Sequence, residues 1–100
     1  MDDQQRFDLA RAERAKLILE DELVTTALED MRATIRTAWE ASPARDTEGR
    51  EHLHRYMKVI GQFEGHLRKH METGKLIAAE LQAEEERKGI MARAMQRVRG

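Results

Sequence analysis

From Leu53 to Leu81 one row of the chain steps by four and three in strict alternation. Leu53, Met57, Ile60, Leu67, Met71, Ala78 and Leu81 lie on it, with Glu64 and Gly74 filling the two remaining places. This alternation is a heptad seam, and a seam of about four heptads requires a long helix with something packed along it. Beside it Tyr56, Phe63, His70 and Ile77 recur every seven residues. The apolar face is therefore three positions wide, more than a two-stranded coiled coil uses, and suits contact with two neighbours at once. Glu64 is costly in such a row unless it meets a cation, for which Arg32, Arg36 and His70 are the candidates; a polar seam residue often fixes register.

The first half carries a matching stripe of Leu17, Val24, Leu28, Met31, Ile35 and Ala38. Asp21 interrupts it and can cap a new helix whose first turn holds Glu22, leaving a shorter helix over roughly Arg6 to Glu20. The second helix is expected to end near Ala41, because Pro43 disfavours helical geometry at Ser42 and cannot extend the hydrogen-bond ladder. Asp46 or Thr47 can cap the next one, with Glu48 and Glu51 at its positive end. A connection this short between two helices predicts an antiparallel hairpin with Trp39 near its closed end. Gly74 and Gly89 are the expected kinks or breaks of the second arm. Beyond Gly89, Ile90, Met91, Ala94, Met95 and Val98 form one face of a short basic amphipathic helix. No strand pattern survives inspection.

The expected fold is thus all-α: a short N-terminal helix or arm in residues 1–20, a long hairpin in 21–82 turning near 42–47, and a basic C-terminal helix in 83–100. With 37% charged and 40% hydrophobic residues and only four aromatics, the composition is that of long helices and coiled coils. Ordering costs roughly 1.5 kcal/mol per residue, and a thin stripe recovers about that much, so a homo-oligomer or docking onto a larger surface is expected. The chain has no cysteine, which removes disulfides and thiolate chemistry and leaves a cytosolic or intravirion location unopposed. The charged start lacks a signal-type apolar core, and no run approaches a membrane span.

Candidate chemistry is sparse. His66 and His70 lie one helical turn apart and Glu51 with His54 has Glu-x-x-His spacing, but Leu67 stands where a zinc protease places its general base. One Glu-x-x-His is also too few for a di-iron bundle. Ser42, the only serine, precedes a proline in a turn, and Gly74-Lys75 lacks the glycine-rich loop of a phosphate cradle. The expectation is no catalytic residue, no metal, no cofactor and no enzyme activity. Gly61 and Gly65 form G-x-x-x-G at about 1 kcal/mol of helix propensity each, which leaves open either a close backbone approach or two glycines that are merely tolerated. After Glu86 the only charges are Arg87, Lys88, Arg93, Arg97 and Arg99. They are candidate anion contacts, for an acidic protein surface ahead of nucleic acid, since no recognition motif or stacking platform accompanies them.

Ala38-Trp39, Ser42-Pro43-Ala44-Arg45-Asp46, Glu48-Gly49-Arg50-Glu51, Gly65-His66-Leu67 and Glu72-Thr73-Gly74-Lys75 resemble the small helical proteins of tailed bacteriophages and prophages. The likeness covers roughly the central half of the chain. Relatives often carry a proline where Glu22 stands. The resemblance implies a virion or head-assembly context, with the host cytoplasm as the place of assembly, and supplies no catalytic residues. On it rests the expectation of a capsid cement, decoration or minor head protein whose partners are itself and a major capsid protein, with a DNA-packaging accessory or a head-assembly scaffold as alternatives. The expected self-packing and partner face is Leu53, Met57, Ile60, Phe63, Leu67 and Met71, with Trp39 anchoring the corner. Pro43, Arg45 and Asp46 form a turn that can dock on a partner.

Overall fold

The computed structural model describes residues 1–99. Among them are three helices, α1 (Asp3–Glu20), α2 (Glu22–Ala41) and α3 (Thr47–Arg99), and no strand. The shape is extended, 81 × 25 × 20 Å with a radius of gyration of 23.0 Å, against about 13 Å for a compact domain of this length. The long dimension is α3 itself, whose 53 residues rise about 80 Å at 1.5 Å each.

Each helix begins on an aspartate. Asp2 accepts from the Gln5 amide at 2.7 Å while the Gln5 side chain accepts from the Asp2 amide at 3.0 Å, a reciprocal capping box. Asp21 leaves helical geometry (φ −63°, ψ 124°) and accepts from the Val24 amide at 3.1 Å. Asp46 accepts from the Gly49 amide at 3.0 Å. In each case one of the otherwise unpartnered first-turn donors is satisfied.

The separate basic C-terminal helix does not form: α3 runs unbroken through Gly74 and Gly89 to Arg99, and neither glycine takes a positive φ. One glycine costs about 1 kcal/mol in a helix, and the strong helix formers on both sides of Gly89 outweigh it. The expected arm 83–100 is therefore the end of a rod, and its last residue, Gly100, lies outside the described residues.

The chain turns back at residues 42–46, and α2 and α1 then lie along α3 in the opposite direction. Ser42 meets Arg50, Arg32 meets Glu64 and Ala12 meets Gly74. α1 packs on α3 more extensively than α2 does, because its face is made of small side chains. Ala15 is 2% exposed, and a Cβ on Gly74 would lie 2.4 Å from the Ala12 methyl. Gly74, expected to bend the helix, instead lets two backbones approach.

On α3 the covered row is the heptad seam. Ile60, Glu64 and Gly74 are buried, and Leu53, Met57, Leu67, Met71 and Leu81 half-buried. The row slips once, where Ile77 is buried and Ala78 exposed, in the stretch beside Gly74 on which α1 packs through Ala12. On the other side the shielded positions are Ala12, Ala15 and Leu19, then Val24, Leu28, Arg32 and Ile35, while Leu17, Met31 and Ala38 face out. The step of five across Asp21 would turn a continuous helix off the seam, and the break there restores the phase. From Gln82 to Arg99 every residue except Gly89 is exposed, so the last turns of α3 project beyond the paired part.

Candidate functional site

The corner is held by three side chains that converge from both sides of the turn. Ser42 donates its hydroxyl to the Trp39 carbonyl at 2.6 Å and accepts from Arg50 Nε at 2.9 Å. The Arg50 guanidinium lies 4.6 Å from the Trp39 ring centre, a cation–π arrangement. The Asp46 amide donates to the Pro43 carbonyl at 2.9 Å, closing the turn. Asp46 is thus occupied in the backbone as a cap, whereas Arg45 and Ala44 are exposed. Trp39, Pro43 and Asp46 build this corner together with Arg50. Arg50 is not among the candidate corner residues of the sequence, since its spacing from Trp39 becomes a contact only after the chain has turned.

Above the corner α2 and α3 leave two shallow grooves. One is lined by Ile35, Trp39, Leu53, His54 and Met57, the other by Met31, Thr34, Tyr56, Val59 and Ile60 with Asp30 at the rim. Tyr56, Val59 and Phe63 are 61%, 58% and 47% exposed, an apolar strip left open beside the covered seam. The proposed self-packing set is therefore divided. Ile60 is buried inside the chain, Leu53, Met57, Leu67 and Met71 are half-buried in the grooves and the seam, and Phe63 remains outside.

Further along, Glu64 is the buried charge. Its Oε1 faces Arg32 of α2, and its Oε2 accepts from Arg68 Nη2 at 3.2 Å, one turn further on. Of the three cations considered for it, Arg32 is the one that crosses between helices. The pair pins α2 to α3 in one register, which a purely apolar seam leaves free to slide by a heptad. By contrast, Gly61 and Gly65 face open space with nothing within 4 Å of an added Cβ. They are tolerated glycines of the exposed helix surface, and the close backbone approach occurs at Gly74.

Among the described residues no group of three His, Cys, Asp or Glu side chains is placed to hold a metal, and no helix is long and apolar enough to cross a membrane. His66 is exposed and His70 half-buried on α3. Arg87, Lys88, Arg93, Arg97 and Arg99 are all exposed on the projecting end, with Arg97 and Arg99 in the last turn, where cations complement the helix dipole. What this arrangement can do is present surfaces: a closed corner, an open apolar strip and a cationic tip. Compared with known protein families, curated proteins and solved structures, the chain finds no match.

Proposed function

We propose that the chain is a non-enzymatic structural protein of a phage virion, a capsid cement, decoration or minor head protein. In this role the antiparallel helical hairpin acts as an oligomer and binds neighbouring shell subunits. The observation that carries the adhesive part is the rod, 81 Å long, with apolar side chains open along its whole length. Ala15, Ile60 and Ile77 are its only buried hydrophobic residues among those described. A chain so thinly covered is stabilised by what it lies on, and a rod touching several subunits adds their individually weak contacts by multivalency. The phage context rests on the resemblance of Trp39 to Lys75 described above. Quantitative mass spectrometry of purified particles tests the reading: near-stoichiometric copies, and earlier thermal rupture of particles lacking the protein, are expected. Virions without it would refute the role.

One observation favours a second reading, a DNA-packaging accessory resembling a small terminase subunit. The projecting end of α3 offers Arg87, Lys88, Arg93, Arg97 and Arg99 with no acid among them, which suits contact with phosphates irrespective of base sequence. Duplex DNA binding that falls steeply with salt and disappears on removal of residues 87–100 would establish it. Presence in immature heads and absence from mature ones would instead mark an assembly scaffold.

A further inference from the structure

α3 carries a second heptad row, offset from the covered one, that steps by three and four from Tyr56 to Val98 without a slip. Its first end holds Tyr56, Val59 and Phe63, and its last end Met91, Ala94 and Val98, all exposed. Between them the row turns polar, with His66 and His70 on the near side and Glu80, Glu84 and Arg87 on the far side. Only Ile77 of this row is buried within the chain. Because α3 is one helix through Gly89, the last end cannot fold back onto the first end of its own chain. Whatever covers both ends comes from outside.

We infer that this row is the interface for a second copy of the chain, with the two α3 helices antiparallel and Val59 of each copy facing Met91 of the other. This deepens the adhesive reading by naming the first partner, and it does not depend on the virion. In that register Tyr56 meets Ala94, His66 meets Glu84 and His70 meets Glu80, while the Arg87 guanidinium covers the Phe63 ring, the alternating contacts of an antiparallel coiled coil. The contacts from Tyr56 to Ala94 span about 57 Å. Charge selects both direction and register. A parallel pair would set Glu80, Glu84 and Arg87 each against itself. A slip of one heptad one way would press Glu80 and Glu84 onto Phe63 and Val59; a slip the other way would set Arg87 against His70 and strand Met91 on His66. The last turns of one copy thereby fill the groove of Met31, Tyr56 and Val59 on the other, a helix laid in a groove. A two-fold axis makes the contact reciprocal, so the dimer closes on itself.

The cysteine-free sequence gives a clean test. In the full chain, Val59→Cys combined with Met91→Cys lies about 48 Å apart along its own helix, too far for a bridge within one copy. Oxidation of this double variant is expected to give a covalent dimer, whereas each single variant gives at least about tenfold less. Sedimentation equilibrium is expected to show a dimer of the unmodified chain. Glu80→Lys with Glu84→Lys should weaken it at least about tenfold, and adding His66→Glu with His70→Glu should restore it. Equally efficient cross-linking of Val59→Cys alone, or a monomer at a concentration on the order of 100 μM, would overturn the inference. A monomer present in stoichiometric amounts in virions would sink the dimer while leaving the cement role standing. A dimer absent from virions would do the reverse.

Discussion

The methyl group of Ala12 occupies the place that a side chain at Gly74 would need, with 2.4 Å between Ala12 Cβ and the position of an added Cβ. Both groups lie on helices, so neither can yield without moving its backbone. Gly74→Ala should therefore destabilise by about 1–3 kcal/mol, although alanine gains about 1 kcal/mol in helix propensity. Gly61→Ala and Gly65→Ala, which meet only open space, should each stabilise by roughly 0.5–1 kcal/mol. Urea midpoints followed by circular dichroism distinguish the opposite signs.

Arg32→Ala would leave the Glu64 carboxylate buried without its partner on α2. A loss of about 2–4 kcal/mol is expected, less than for a fully enclosed pair because the Arg32 side chain is 31% exposed. Glu64→Leu should cost little or even stabilise, since it removes the charge rather than stranding it. The double variant Arg32→Ala with Glu64→Leu should then resemble Glu64→Leu alone. Thermal melts of the four chains complete the cycle.

Arg50→Ala removes both the hydrogen bond to Ser42 and the cation over Trp39. Destabilisation of roughly 1–2 kcal/mol is expected. Trp39 is the only tryptophan, so its fluorescence reports on this corner alone and should change in the folded state. Arg50→Lys should not restore the signal, because an ammonium cannot stack on the ring and reach Ser42 with the same planar group.

Asp46→Ala should cost about 0.5–2 kcal/mol through the lost cap. Its effect belongs at the start of α3, where amide hydrogen exchange should quicken over the first turn while the seam around Ile60 stays protected. Gly49→Ala should act at the same place, since its Cβ would come within 2.3 Å of the Asp46 carboxylate and displace the cap.

Local signals were readable before the chain was seen folded. Pro43 stops α2, Asp21 and Asp46 cap the helices that follow them, and the alternation from Leu53 to Leu81 marks the row that α1 and α2 cover. What was hidden depends on contacts between distant segments. Gly74 looks like a breaker because propensity is a local quantity, and only the neighbouring Ala12 turns it into a packing site. Gly61 and Gly65 share that ambiguity with the opposite outcome. Ile77 takes the place of Ala78 only once α1 lies against that stretch of α3, beside Gly74. Arg50 reaches Trp39 only once the turn is made. The open row from Tyr56 to Val98 was half legible, as a seven-residue recurrence, until α3 proved continuous enough to carry it to the tip.

The unbroken length of α3 also makes the protein a gauge. Hydrogen-bonded rise fixes the distance from the corner at Arg45 to the arginines of the tip at about 80 Å, whatever side chains lie between. Two bodies gripping those ends are held at a set spacing. Inserting seven residues would lengthen that spacing by about 10 Å and keep every face aligned to within roughly 20°, whereas inserting five would turn the tip by roughly 140°.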